Sequence, residues 1–82
     1  MAIPSVTSFI TFNPNDWYWT AKDGRIYSSK RNLLVYSYDT LYLLFVQNNG
    51  GSTPWPADAN GVQSTAALQV VVGQYGITLP FT

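Results

Sequence analysis

Short runs of aromatic and aliphatic residues alternate with polar turn residues in the first half of the chain. Three such runs occupy residues 17–20, 25–28 and 33–36. Aromatic and branched residues bounded by turn residues predict β-strands. The first two runs are joined by residues 21–24, where Asp-Gly tolerates the positive φ of a tight hairpin. We therefore expect an antiparallel β-meander.

A longer apolar segment follows over residues 40–48 and carries Leu41, Leu44 and Phe45 at helical spacing. Asp39 precedes it and can cap a helix by accepting the free amides of the first turn. The glycine pair at positions 50 and 51 provides a stop. A helix is predicted, although a run this short is also compatible with a buried strand.

A second helix is predicted over residues 65–75, with Ser64 as its N-cap and Gly76 as its stop. Its three consecutive valines are less favourable in a helix, because branched side chains lose rotamer freedom there. The expected fold is small α+β, an antiparallel β-meander of three or four strands with two helices on one face. The alternative is all-β, with both helical segments extended.

The chain is expected to form one domain over residues 1–82, with residues 1–12 as an arm or a further strand. Residues 6–12 are rich in branched residues and favour a strand. Residues 52–61, with two prolines, are predicted to form a loop. The N-terminal residues lack the features of a signal peptide, and no apolar run approaches the roughly 20 residues that span a bilayer. Synthesis in the cytoplasm and no membrane association are expected.

The composition disfavours catalysis and metal binding. The chain has no cysteine, histidine or glutamate, so the common nucleophiles, general bases and zinc ligands are missing. The carboxylates are four aspartates, of which Asp23 and Asp39 are assigned to a turn and a cap. We predict a protein that is not an enzyme and uses no cofactor or metal.

The charge distribution disfavours nucleic-acid binding. Four basic residues balance four acidic ones, and all four basic residues lie between positions 22 and 31. Phosphate binding needs an excess of lysine and arginine, which this balance does not provide. The basic cluster is interpreted as a solvated hairpin face, and zero net charge is compatible with self-association.

The three tryptophans are the strongest candidates for a function. Trp17 and Trp19 are expected on one face of the first strand, as core residues in preference to a sugar-stacking platform. Trp55 stands between two prolines in a loop, where aromatic residues often anchor interfaces, and a contact role and a core role are equally compatible with this position. The residues predicted to bind a partner are Trp55, Pro54 and Pro56, with Tyr18 and Arg25 on the outer hairpin face.

The order of motifs resembles a group of small, largely uncharacterised tail-region proteins of tailed phages and prophages, over about residues 17–76. The first helix is bulkier here, with Leu43, Leu44 and Phe45, than is typical of the group. The resemblance implies association with the virion or with tail assembly, and it implies no catalytic residue. The shared motifs are an aromatic strand (Tyr18, Trp19), Asp-Gly with Tyr-Ser-Ser (Asp23 to Ser29), an Asp-initiated helix (Asp39, Tyr42, Phe45), a Thr-Pro segment (Thr53 to Pro56), and a helix ending in Tyr-Gly (Tyr75, Gly76).

Two functions are therefore predicted. The first is a protein-interaction module that buries an exposed aromatic and apolar patch against a tail or fibre component, or against a copy of itself. The alternative is a carbohydrate-binding module for a host surface glycan. Its polar contacts would come from Asn15, Asp16, Asn48 and Asn49.

Overall fold

The computed structural model describes residues 12–81 and contains a four-stranded sheet with two helices. The predicted α+β class is confirmed and the all-β alternative is wrong. Of the predicted segment 6–12, only Phe12 lies within the described residues, and it has no regular secondary structure. The elements are β1 (Tyr18–Thr20), β2 (Ile26–Ser28), β3 (Leu33–Val35), α1 (Thr40–Asn49), β4 (Thr53–Pro54) and α2 (Thr65–Gly73).

The sheet has the strand order β3-β2-β1-β4 and is mixed. β1, β2 and β3 form the expected antiparallel meander, with Trp19 opposite Tyr27 and Tyr27 opposite Leu34. β4 is an addition that the sequence did not predict, because residues 52–61 were assigned to a loop. It pairs parallel to β1, with Thr53 opposite Trp19. A two-residue strand that ends in proline leaves no pattern to recognise.

The predicted caps determine where both helices begin. Asp39 accepts a hydrogen bond from the Tyr42 amide at 2.9 Å, and the Ser64 hydroxyl accepts one from the Ala67 amide at 3.1 Å. α1 ends at Asn49 and is capped by Gly50, whose φ of 75° is the left-handed conformation that glycine adopts readily.

α2 ends at Gly73, three residues before the predicted stop at Gly76. The last turn is tighter than an α-helix, because the amides of Gln74, Tyr75 and Gly76 each bond to the carbonyl three residues back. The prediction was therefore right about the start of this helix and too long at its end.

The core is built around the tryptophans. Trp17 and Trp19 are buried, which confirms that they are core residues, and Leu68 and Val72 of α2 belong to the same cluster. α1 crosses the start of β1, where Phe45 contacts both Trp17 and Tyr18 with ring centroids 4.8 and 4.9 Å apart.

In the part of the chain described, neither helix has the length and hydrophobicity that a membrane crossing requires.

Candidate interaction surface and an adjacent cleft

Trp55, the leading predicted contact residue, lies inside the protein. Only 1% of it is exposed, and its indole Nε1 donates to the Ser64 carbonyl at 2.8 Å. The expectation that Trp55 presents its ring to a partner is therefore wrong. The physical reason is the pairing of β4, which places the Trp55 amide against the Thr20 carbonyl at 2.9 Å and directs the indole into the core.

Arg25 covers the Trp55 ring, and an ion pair and a hydrogen bond hold its guanidinium in place. Its guanidinium carbon lies 4.3 Å from the ring centroid, a cation–π contact. The guanidinium also pairs with Asp23, at 2.9 Å between Nε and Oδ2, and donates to the Gln63 carbonyl. The Arg25 bonds lower the pKa of Asp23. Arg25 therefore stabilises the hairpin and the Trp55 site within the chain.

Tyr18 is also internal, with 5% of the residue exposed, so its predicted role as an outer contact is wrong. Its ring packs against Tyr42 and Phe45 of α1, and its hydroxyl accepts a hydrogen bond from Arg31 at 2.8 Å. The helix α1 covers this face of β1, which the strand pattern alone did not show.

Pro54, Pro56 and Arg25 are the predicted contact residues that remain at least partly accessible. Pro54 is exposed and Pro56 is partly exposed, one on each side of the buried Trp55. Arg25 meets this segment through the Trp55 ring, whereas Tyr18 packs against α1. The five predicted residues therefore do not form one exposed surface.

A bidentate ion pair connects the turn after β2 to the start of α1. Arg31 donates to both carboxylate oxygens of Asp39, at 2.9 and 2.7 Å. This pair, with the Tyr42 amide, lowers the pKa of Asp39 to about 2, and the same contact raises the pKa of Arg31. Because Arg31 also holds Tyr18, one guanidinium fixes β1, the turn and the helix cap relative to one another.

The exposed apolar residues are concentrated in the stretch of chain from β3 to α1, and we call their exposed side chains the β3–α1 surface. Of the eleven large apolar side chains exposed within residues 12–81, seven lie in the short stretch from β3 to α1. Tyr36 and Tyr38 are 71% and 72% exposed, and their rings stack in parallel with centroids 5.2 Å apart. The members of the surface are Leu33, Leu34, Tyr36, Tyr38, Leu41, Leu43 and Leu44.

This surface has almost no charge and is poorly covered by the rest of the described chain. Between Asn32 and Gly51 the sequence contains one charged residue, Asp39, which Arg31 already neutralises. α1 has no buried residue: Tyr42 and Phe45 are partly buried, whereas Leu41 and Leu44 face solvent. The predicted helical face of Leu41, Leu44 and Phe45 is divided, because Phe45 packs against the core whereas Leu41 and Leu44 are exposed.

A cleft of about 320 Å³ lies between the start of β1, the turn after β2 and α1. Three of its side chains offer free polar groups: the Asp16 carboxylate, the Lys30 ammonium and the Asn48 amide form no hydrogen bond within residues 12–81. Of the four predicted glycan contacts, Asp16, Asn48 and Asn49 line this cleft and Asn15 does not. The lining residues are Asp16, Tyr18, Lys30, Arg31, Leu41, Phe45, Asn48 and Asn49.

No protein-family model matches the chain, and it matches no curated protein and no solved structure. The resemblance to phage tail-region proteins therefore stays a prediction. A function must therefore be inferred from the geometry of the β3–α1 surface and of the cleft.

Proposed function

We propose that the protein is a non-enzymatic interaction module that binds a protein partner through the β3–α1 surface. The observation that carries the proposal is the concentration of exposed leucine and tyrosine in this one charge-poor stretch. A concentration of exposed apolar side chains on a small protein is typical of contact surfaces, because burying them removes apolar area from water.

The composition of the surface fits a protein interface. Tyrosine is enriched at interfaces because it supplies a large ring with few rotatable bonds and a polar tip. Tyr36 and Tyr38 provide two such rings, and the neighbouring leucines provide aliphatic area. Lys30 and Arg31 lie beside the surface, as in the polar rim that commonly surrounds an apolar centre.

The scaffold under the surface is held in position before any partner arrives. The ion pair between Arg31 and Asp39 fixes the cap of α1, and the Asp39 amide donates to the Tyr36 carbonyl at 3.0 Å across the turn. A contact surface that is already ordered loses less conformational entropy on binding. This supports binding through a preformed surface in preference to folding on binding.

The resemblance supplies one candidate for the partner. If the likeness to phage and prophage tail-region proteins holds, the partner is a tail or fibre component and the protein becomes virion-associated. The absence of histidine and cysteine from the sequence supports the non-enzymatic part of the proposal.

The proposal is tested by affinity capture from a lysate of the encoding organism, with any resident prophage induced and mass spectrometry as the readout. Leu44→Lys places a charge in the surface, and Val70→Lys places one on the exposed face of α2 as a matched control. We expect a specific partner with wild type and Val70→Lys, and its loss with Leu44→Lys. Capture that survives Leu44→Lys, or that is lost equally in both variants, would contradict the proposal.

A second candidate function, glycan binding, is favoured by the cleft. Its free carboxylate, ammonium and amide groups can bond to sugar hydroxyls, while Leu41 and Phe45 supply an apolar wall. The volume of about 320 Å³ is at the lower end of ligand pockets and would hold one or two sugar units.

Glycan binding is tested by calorimetric titration with surface oligosaccharides of the host. We expect Asn48→Ala to weaken binding, because it removes an amide from the cleft. Gln74→Ala removes an exposed amide at the end of α2 and should bind as wild type does. Absence of heat with wild type across the oligosaccharide series would exclude this function.

A further inference from the structure

The two edges of the sheet differ in their capacity to accept another strand. On the β4 edge, the Trp55 amide bonds inward to the Thr20 carbonyl, so the preceding residue, Pro54, faces outward. Proline has no amide hydrogen and cannot donate to an added strand. The β4 edge is therefore closed to sheet extension.

Within residues 12–81, no other strand pairs with the outer edge of β3, so its outward backbone groups are free. The Ser29 amide bonds to the Trp17 carbonyl at 3.0 Å, and antiparallel bonding alternates, so Tyr27 also bonds to β1. The residues on either side of Tyr27 then bond to β3. Leu34, which lies opposite Tyr27, directs its own amide and carbonyl away from the sheet.

The β3 edge also lacks the usual protection against pairing. Exposed edges are commonly blunted by lysine, proline or a charged side chain that points inward. The segment from Asn32 to Tyr38 contains none of these, and Leu33 and Leu34 are each 43% exposed. The shortness of β3, three residues, limits the backbone contribution, so the side chains must supply most of the binding.

The charge pattern fits an identical copy in one orientation. With Leu34 opposite itself in an antiparallel pair, Lys30 lies at the register of Tyr38 of the second copy, and Arg31 at that of Ser37. No like charges meet. In a parallel pair the same cations would lie near their own copies, which is unfavourable.

We infer that the partner of the β3–α1 surface includes a second copy of this chain, joined by antiparallel β3–β3 pairing about a two-fold axis at Leu34. The inference rests on the proposed function, because it uses the same surface. Since the β4 edge is closed, association stops at a dimer and does not continue into a filament.

The test is sedimentation velocity of the full chain from low micromolar to several hundred micromolar. Wild type should change from 9.1 kDa towards twice that mass as concentration rises. Leu34→Lys and Leu34→Glu should each weaken the dimer at least about tenfold, because like charges then face one another at the axis. An equimolar mixture of the two variants should recover the dimer, which a merely unfolded variant would not do.

Three results would overturn the inference: wild type that stays a monomer at every concentration, a Leu34→Lys dimer as tight as wild type, or a mixture that fails to recover the dimer. These results can be distinguished from a failure of the proposed function. A monomer that still captures a partner dependent on Leu44 would remove self-association and leave the interaction module intact. A dimer that captures no other protein would support self-association and leave the binding of a different protein unsupported.

Discussion

The guanidinium of Arg25 lies over the ring of Trp55, 4.3 Å from its centroid, and covers this buried indole on its outer side. The two residues are thirty positions apart and meet because β4 pairs beside β1. A substitution of Trp55 therefore perturbs folding before it perturbs any surface. Tests of binding must use the exposed residues of the β3–α1 surface.

Replacing Trp55 with alanine should destabilise the protein by about 3–5 kcal/mol, the usual loss for a large buried aromatic residue. The substitution also leaves the Ser64 carbonyl without the indole donor that now bonds to it. Chemical denaturation followed by circular dichroism measures the change. Tyr38→Ala, which truncates an exposed ring, should change the free energy of unfolding by less than about 0.5 kcal/mol. Equal losses in both variants would show that Trp55 is not a core residue.

Replacing Arg25 with glutamine should cost about 0.5–1 kcal/mol, because the cation–π contact is partly exposed and the Asp23 pair is solvated. The measurement is again the free energy of unfolding. Lys22→Gln is the matched control, since the Lys22 side chain makes no ion pair within residues 12–81. If the two variants are equally stable, the Arg25 contacts contribute nothing measurable.

The ion pair of Asp39 with Arg31 should make stability depend on acid pH. The pKa of Asp39 is about 2 in the folded protein, below its ordinary value of 3.8, so folding favours the ionised carboxylate. Its contribution is complete above about pH 4 and is lost as the pH falls towards 2. Asp39→Asn keeps a good cap residue and removes the charge.

We therefore expect Asp39→Asn to be less stable than wild type near neutral pH and to lose less stability on acidification. Thermal unfolding at a series of pH values measures both. Wild type and variant curves that fall in parallel between about pH 5 and 2 would contradict the assigned role of the pair.

Gly50→Ala should destabilise the protein by about 1–2 kcal/mol, because the φ of 75° at this cap is unfavourable for a residue with a Cβ. An added Cβ meets no atom within 4 Å, so the loss is purely conformational. Asn48→Ala, on the exposed surface of α1, should be neutral or slightly stabilising, since alanine is the best helix former. A neutral Gly50→Ala would mean that α1 ends without the left-handed turn.

Local features of this fold could be predicted from sequence. The Asp-Gly hairpin and the caps Asp39 and Ser64 depend on residues close together in the chain, and each lies where it was expected. The burial of Trp17 and Trp19 followed from the need of a small chain for large core rings.

The candidate site could not be predicted in the same way. The burial of Trp55 depends on the non-local pairing of β4 with β1, and the exposure of Leu41 depends on which stripe of α1 meets the sheet. The helix itself carries leucine on more than one side, so its sequence does not identify the inward face. The sequence therefore predicts that Leu41 and Leu44 pack against the sheet and that Trp55 contacts a partner, whereas the leucines are exposed and Trp55 is buried.

Site-directed photo-crosslinking tests whether the β3–α1 surface makes the contacts with a partner. A benzophenone side chain is placed at Tyr38 and, as the control, at Tyr75 in the turn after α2, both exposed tyrosines. The labelled proteins are expressed in the encoding organism and irradiated. We expect specific adducts, with a second copy or another protein, from position 38 and none from position 75. Adducts from position 75 alone, or none from position 38, would contradict this expectation.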